Sequence, residues 1–273
     1  MSLMWLNGEL VALDTARISP MDRGFTLGDG LFETMRVRGG WVMNLYAHMH
    51  RLVEGGRVLG LPVPDTAAVR QALCELLDAT DLEEGSIRLT LSRGEGPRGL
   101  QPPANTRPTL ALTATPGAFA RTTVRTITSK LIRRDETSPL SRIKSLNYLP
   151  GILARQEAAR ANAEDALLLN MHGRVAESTI SSIIIASEDG ALITPPISEG
   201  ALPGVARGML LARGLAREAT LENEQILWAR GVWLVNTLSL REVTVLDGQA
   251  LATDPALTET LAACFDSAPD VWG

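Results

Sequence analysis

Short extended runs joined by tight turns are the feature that most constrains the fold of this chain. Asn7-Gly8, Gly39-Gly40, Met171-His172-Gly173 and Asp189-Gly190 each separate two runs that are rich in apolar residues. Turns of this kind accept positive φ angles and join neighbouring antiparallel strands. Because such hairpins recur along the chain, the sequence predicts antiparallel strand pairs rather than a doubly wound parallel sheet.

Apolar residues at helical spacing occur between the hairpins. They predict helices over residues 47–59, 146–161 and 205–217, a helix that follows Asp65 or Thr66 as its N-cap, and a last helix around residues 257–265. Helices interspersed with hairpins are typical of the α+β fold class, which we therefore predict.

The length of 273 residues is enough for one large domain or two small ones. The stretch Thr115-Pro-Gly-Ala-Phe-Ala120 breaks regular structure, and the pattern changes after it. We predict an N-terminal α+β domain over residues 1–115, a linker over 116–121 and a C-terminal α+β domain over 122–273.

Composition narrows the class of function. The net charge of −5 argues against a general nucleic-acid binder. No apolar run approaches the roughly 18 residues of a membrane helix. Two cysteines cannot build a disulfide scaffold, and the first residues do not resemble a signal peptide, so we expect a cytoplasmic protein.

Several common catalytic motifs do not occur in the sequence. It contains no GxxxxGK[ST], GxGxxG, CxxC or HExxH pattern. His48 and His50 fall on different faces of a predicted helix, where we expect surface and dimer contacts rather than a shared metal ion. Zinc and catalytic-triad chemistry are therefore not expected.

Lysine is rare in this chain, which restricts the search for a catalytic amine. Of the 26 basic residues, only Lys130 and Lys144 are lysines. Lys144 lies between Ile143 and Leu146, where partial desolvation can lower the pKa of an amine for Schiff-base chemistry. This spacing alone does not distinguish Lys144 from a solvated surface lysine.

Three further segments can bind a charged ligand. Glu177 ends a predicted strand, where a carboxylate can fix a protonated ring nitrogen or simply face solvent. Residues 202–207 precede a helix whose first N–H groups can bind a phosphate. Arg51 can pair with the same phosphate, or form a surface salt bridge instead.

Together these segments resemble the fold-type IV, or class IV, pyridoxal-phosphate aminotransferases and lyases. The likeness covers nearly the whole chain. The segments that carry it are DRGFTLGDGLFET at 22–34, HMHRL at 48–52, KSLNY at 144–148, GRVAEST at 173–179 and LPGVAR at 202–207. The resemblance implies a two-domain, D-amino-acid aminotransferase-like fold with hairpin-rich sheets, flanking helices, bound pyridoxal 5'-phosphate and a homodimeric assembly.

The resemblance also implies a role for each matched residue. Lys144 would carry the cofactor as a Schiff base and move the proton, and Glu177 would pair with the pyridine nitrogen. The cofactor phosphate would be held by Arg51, the backbone of Gly204 and Val205, and Thr237 with Leu238, while Leu202 would pack on the ring. The sequence departs from the family at Ser182, usually asparagine, and at Ala206, often threonine. Lys130 matches no family role.

The substrate is predicted from the loop after residue 92. The run Ser92-Arg-Gly-Glu-Gly-Pro-Arg98-Gly-Leu100 lacks the histidine of the D-amino-acid aminotransferases and is more similar to the lyases, although Leu100 departs from their usual tyrosine. We expect an aminodeoxychorismate lyase of folate biosynthesis, with Arg98 and Phe32 binding the substrate. A D-amino-acid or branched-chain aminotransferase is the alternative, and a degenerate ligand-binding relative is the third.

Overall fold

The structure is a computed structural model that describes residues 2–266. Within these residues, one compact unit holds 2–118 with Ile143–Asn147, and a second holds 119–142 with 148–266. The sequence analysis predicts residues 143–147 in the C-terminal domain, whereas the structure groups them with the first unit. They pack with the first unit because the Phe32 N–H donates to the Lys144 carbonyl and the Leu146 N–H donates to the Gly30 carbonyl.

The first unit is built on a six-stranded antiparallel sheet with the order β2-β1-β6-β5-β3-β4. The strands are β1 (Leu3–Leu6), β2 (Glu9–Ala12), β3 (Gly30–Arg38), β4 (Trp41–Val42), β5 (Glu84–Ser92) and β6 (Thr109–Pro116). The helices are α1 (Arg23–Leu27), α2 (Leu45–Leu59) and α3 (Thr66–Thr80). Asp65 caps α3 through a hydrogen bond from the Ala68 N–H, as the sequence predicts.

The core of the first unit lies between the sheet and the two long helices. Met35 and Leu89 on the central strands are fully buried, as are Leu73 and Leu76 on α3. Alternate residues of β3 point to opposite faces, so Glu33 shares the helix-facing side of the strand with Met35, while Phe32 lies on the other side.

The second unit is built on a nine-stranded mixed sheet with the order β12-β11-β10-β13-β14-β7-β8-β9, in which β15 pairs with β14. Its strands are β7 (Ala120–Arg134), β8 (Asp165–Asn170), β9 (Val175–Ser178), β10 (Ser182–Ala186), β11 (Leu192–Thr194), β12 (Ala216–Glu218), β13 (Gly231–Asn236), β14 (Ser239–Leu246) and β15 (Gln249–Ala250). Its helices are α4 (Leu149–Arg160), α5 (Val205–Ala212), α6 (Asn223–Leu227) and α7 (Pro255–Asp266). None of the helices within residues 2–266 is both long and apolar enough to cross a membrane.

The α+β class and the predicted hairpins are confirmed, whereas two helix predictions have wrong ends. The helix predicted over 146–161 begins at Leu149, because the preceding segment pairs with β3. The helix predicted over 205–217 ends at Ala212. Gly214 adopts a left-handed φ of 65° there, and β12 then forms beside β11.

Candidate active site

The segment 143–147 presents Lys144 next to β3. Hydrogen bonds of 2.9 Å join the Phe32 N–H to the Lys144 carbonyl and the Leu146 N–H to the Gly30 carbonyl. Glycine is required at position 30, because a Cβ there would lie 2.5 Å from the Leu91 carbonyl and 2.8 Å from Leu146 Cδ1. The close approach of segment and strand leaves the Lys144 side chain half-buried.

Phe32 lies under two cationic groups. The Lys144 Nζ is 4.3 Å from the centroid of the Phe32 ring, and the guanidinium carbon of Arg88 on β5 is 3.9 Å from the same centroid. Both distances are within the range of cation–π interactions. The arrangement brings predicted residues Lys144 and Phe32 together. It adds Arg88, which the sequence analysis missed and which can pair with an anionic ligand near the amine.

Arg51 lies on α2 in a buried ion pair with Glu33. Its Nε and Nη2 donate to the two carboxylate oxygens of Glu33 at 2.8 and 2.5 Å, and His48 Nδ1 lies 2.6 Å from Glu33 Oε2. The prediction of a surface position for His48 is wrong, because His48 and Arg51 are three residues apart and face β3 together. The exposed His50 lies on the other side of α2.

The buried triad of Glu33, His48 and Arg51 has a defined protonation state. Burial raises the pKa of Glu33, but the charge of Arg51 and the hydrogen bonds from Arg51 and His48 outweigh it and lower this pKa to about 2. Burial lowers the pKa of His48, and the charges of Arg51 and Lys144 lower it further. The hydrogen bond with Glu33 acts in the opposite direction but does not outweigh them. Glu33 is therefore ionised, and a neutral His48 donates to it from Nδ1.

The low pKa of Glu33 predicts a loss of stability in acid. The ordinary pKa of 4.5 applies to the unfolded chain, so the ionised carboxylate stabilises the fold fully above pH 4.5, and this contribution is lost as the pH falls toward 2. The difference corresponds to about 3 kcal/mol. We expect the gap in unfolding free energy between the parent protein and Glu33→Gln to shrink by about this amount across that window, in denaturant titrations at successive pH values. A gap independent of pH would contradict the assignment.

Arg98 lies on the exposed loop between β5 and β6, and the structure describes no contact of its side chain with Lys144 or Phe32. The loop backbone is not loose. Arg23 Nη1 and Nη2 donate to the carbonyls of Gly99 and Leu100 at 2.9 and 3.0 Å. The predicted substrate residue Arg98 is thus presented at the surface of the first unit by a held backbone.

Glu177 is the last but one residue of β9 in the second unit, where it is buried. Its Oε2 accepts a 3.0 Å hydrogen bond from the Leu202 N–H, and its Oε1 lies 2.9 Å from Arg134 Nε. The structure thus brings the predicted residues Glu177 and Leu202 together. Arg134 carries no sequence signal for this role, because its pairing with Glu177 depends on the sheet. A carboxylate fixed at both oxygens presents a stable negative charge.

The start of α5 forms a small cradle. Gly204 is the N-cap and Val205 the first helical residue, and no side chain caps the helix. A Cβ at Gly204 would lie only 2.5 Å from Ser182 Oγ, so glycine is what allows the start of α5 to approach Ser182 this closely. The Gly204 N–H itself donates to the Leu202 carbonyl at 2.7 Å. The N–H groups of the first helical turn, from Val205 on, have no partner inside the helix and attract anions. The departures at Ser182 and Ala206 leave these backbone donors in place.

Thr237 and Leu238 form the turn between β13 and β14. The Leu238 N–H donates to Asn236 Oδ1 at 2.8 Å, and Asn236 Nδ2 donates to Ser181 Oγ at 3.0 Å. Since Ser182 next to Ser181 borders Gly204, the turn and the start of α5 both adjoin residues 181–182. The predicted phosphate-binding residues of the second unit are therefore grouped.

A comparison with known families decides what kind of protein has this arrangement. Residues 30–245 match the family described as amino-transferase class IV, which is more than half of the chain. The chain belongs to the class IV aminotransferase family. This membership confirms the resemblance stated from the sequence motifs, and enzymes of the class IV aminotransferase family depend on pyridoxal phosphate.

Relatives of this chain in the class IV aminotransferase family are named for different activities. A Methanocaldococcus jannaschii protein, provisionally named a branched-chain-amino-acid aminotransferase, is 33% identical over 80% of this chain and 76% of its own length. A Mycobacterium tuberculosis bifunctional aminodeoxychorismate lyase and D-amino acid transaminase is 28% identical over 96% of this chain and 97% of its own. A solved Mycobacterium tuberculosis structure, described as a hypothetical aminotransferase in its PLP-bound form, has a TM-score of 0.86 and 26% identity, and the match covers 98% of this chain and 99% of that one.

The residues present in each unit fit pyridoxal phosphate. The first unit offers a half-buried amine at Lys144, and the second offers a fixed carboxylate at Glu177 for a ring nitrogen. The start of α5 offers the backbone N–H groups of its first turn as donors to a phosphate. An amine, an acid and an anion cradle are the three groups that this cofactor requires from a protein.

Proposed function

We propose that this protein is a pyridoxal-phosphate-dependent 4-amino-4-deoxychorismate lyase, which forms 4-aminobenzoate and pyruvate in folate biosynthesis. The observation that carries the proposal is the placement of Lys144 Nζ and the Arg88 guanidinium over one aromatic ring, at 4.3 and 3.9 Å from the Phe32 centroid. A cyclic substrate with carboxylates suits an amine, an aromatic face and a guanidinium that lie so close together.

The proposed roles follow from the contacts of each residue. Lys144 carries the cofactor and handles the proton, and Glu177 holds the protonated ring nitrogen. Arg51, the backbone of Gly204 and Val205, Thr237 and Leu238 bind the phosphate, and Leu202, whose N–H already donates to Glu177, packs on the ring. When bound, pyridoxal phosphate supplies a ring that accepts the electron pair released at the substrate carbon.

Lys144 performs the proton transfer in the proposed reaction. Its amine takes the proton from the substrate ring carbon that bears the nitrogen, acting as a general base. The bond from the neighbouring carbon to the enolpyruvyl oxygen then breaks, the ring becomes aromatic, and the released enolpyruvate gains a proton to become pyruvate. Phe32 would contact the substrate ring. Arg98 would pair with a substrate carboxylate.

An aminotransferase acting on D-amino acids or branched-chain amino acids is the second candidate. The names of the relatives support it, since one is called a branched-chain-amino-acid aminotransferase and another combines lyase and D-amino acid transaminase activities. Such an enzyme would use the same amine and acid. It would differ in needing a keto acid as the second substrate, whereas the lyase needs none.

The release of 4-aminobenzoate, measured by fluorescence, tests the proposal. Purified protein with bound cofactor is supplied with enzymatically prepared 4-amino-4-deoxychorismate and no keto acid. We expect many turnovers, with pyruvate formed in equal amount. Protein that keeps its cofactor absorbance but releases no 4-aminobenzoate would contradict the lyase. Aminotransferase activity with D-alanine or branched-chain amino acids as donors and a keto acid as acceptor would then test the second candidate.

We further propose a homodimer that acts in the cytoplasm, as membership of this family suggests. Size-exclusion chromatography with light scattering measures the mass of the assembly against the 29.3 kDa chain. A monomeric mass would contradict the dimer, and cell fractionation tests the location.

A further inference from the structure

A half-buried carboxylate, Asp29, joins two buried arginines in the first unit. Asp29 Oδ2 lies 2.9 Å from Arg23 Nε and 2.7 Å from Arg93 Nε, and both arginines are 3% exposed. Burial raises the pKa of Asp29, but the hydrogen bonds and charges of Arg93 and Arg23 outweigh it and lower this pKa. The three groups therefore form a fixed charged cluster.

Arg23 extends from this cluster to the exposed loop. Its two terminal nitrogens donate to the carbonyls of Gly99 and Leu100, while the Leu100 side chain is 83% exposed. The loop also packs on the stem of Arg23, since a Cβ at Gly96 would lie 2.7 Å from Arg23 Cδ. A loop with exposed side chains would ordinarily bond water through its carbonyls. In this loop, the buried guanidinium of Arg23 donates hydrogen bonds to two of the carbonyls instead.

Arg93 pairs with the same carboxylate, but its other nitrogens bind a different part of the backbone. Its Nη1 and Nη2 donate to the carbonyls of Gly60 and Leu59, at the end of α2, at 2.9 and 2.8 Å. The two arginines thus match in partner and burial, and differ in the backbone that they hold. The chain itself supplies a control for any test of Arg23.

We propose that Arg23 is a positioning residue for substrate recognition, which fixes the backbone of Gly99 and Leu100 so that Arg98 is presented in one orientation. The inference rests on the proposed role of Arg98 in binding a substrate carboxylate. On a loose loop, Arg98 would lose backbone and side-chain freedom whenever substrate binds. With the backbone already held by Arg23, that entropy is lost on folding instead, which favours substrate binding without altering the proton transfer.

The variants Arg23→Gln and Arg93→Gln test the proposal. For Arg23→Gln we expect KM for the substrate to rise about tenfold, with kcat and the dissociation constant of pyridoxal phosphate within about twofold of the parent values. Trypsin should also cleave after Arg98 about tenfold faster, because the loop opens more often. Arg93→Gln should change neither KM nor this cleavage rate, even though it breaks the same charged cluster. Whichever substrate the enzyme turns over serves for KM.

Two results would overturn the proposal. In one, KM and the cleavage rate after Arg98 change equally in both arginine variants, which would indicate general destabilisation. In the other, both stay at parent values in Arg23→Gln. The variant Arg98→Ala tests the role of Arg98 separately from that of Arg23. An unchanged KM in this variant would refute Arg98 as a substrate-binding residue. If Arg98→Ala does raise KM, adding Arg23→Gln should raise it no further.

Discussion

Replacement of Lys144 by alanine is expected to abolish turnover, with a loss of at least about 10⁴-fold in kcat. The amine half-buried against Phe32 is the group proposed both to carry the cofactor and to move the proton, and no other side chain of the segment 143–147 bears an amine. The visible absorbance band of the bound cofactor should be lost as well. Steady-state kinetics and absorbance spectra of the purified variant measure the two effects.

Lys130 provides the matched control, because it is the second of the two lysines in the chain. Its side chain is exposed on β7, and its backbone N–H donates to Glu157 Oε1 at 2.8 Å. Lys130→Ala should therefore keep activity and absorbance. Borohydride reduction followed by peptide mass spectrometry should place the cofactor on Lys144 in the parent protein. Cofactor trapped on Lys130, or full turnover by Lys144→Ala, would refute the assignment.

Replacement of Glu177 by glutamine is expected to lower kcat at least about 10²-fold. The amide keeps the shape of the side chain but removes the negative charge that stabilises a protonated ring nitrogen. It also leaves Arg134, which lies 2.9 Å from the carboxylate, without its ion-pair partner. The cofactor should remain bound, because Lys144 and the start of α5 are unchanged. Kinetics and the cofactor-to-protein ratio measure both parts of this expectation.

Glu188→Gln is the corresponding control for Glu177. Glu188 is exposed in the turn between β10 and β11. The same loss of charge at this position should leave kcat unchanged. If Glu177→Gln retained full activity with cofactor bound, the proposed role of Glu177 in holding the ring nitrogen would be wrong.

Local patterns predicted much of this fold because turns are decided by neighbouring residues. Asn7-Gly8 and Gly39-Gly40 adopt the positive φ angles that their sequences favour, and the strands on either side pair as expected. The same local reasoning failed for residues 146–148. Their helical pattern is overruled by pairing with β3, which is more than 100 positions away in the chain.

The candidate site was predictable where a motif carries the chemistry. Lys144, Glu177 and the start of α5 stand in motifs that can be recognised in sequence. Arg134 and Arg88 were missed because only the sheet brings them beside their partners. His48 was misplaced for a related reason: a polar residue on a helix is assigned to the surface unless its buried partner, Glu33 on a distant strand, is known.

The place of Lys144 in the first unit has a consequence for recombining this protein with its relatives. Chain positions 143–147 pair with β3 although the residues on both sides belong to the second unit. An exchange of halves at residue 118 would therefore combine the strand of one parent with the lysine segment of the other. Hybrids should fold and function better when residues 143–147 are taken from the parent that supplies β3. These five residues are encoded with the C-terminal half of the chain, but they have to match the N-terminal half.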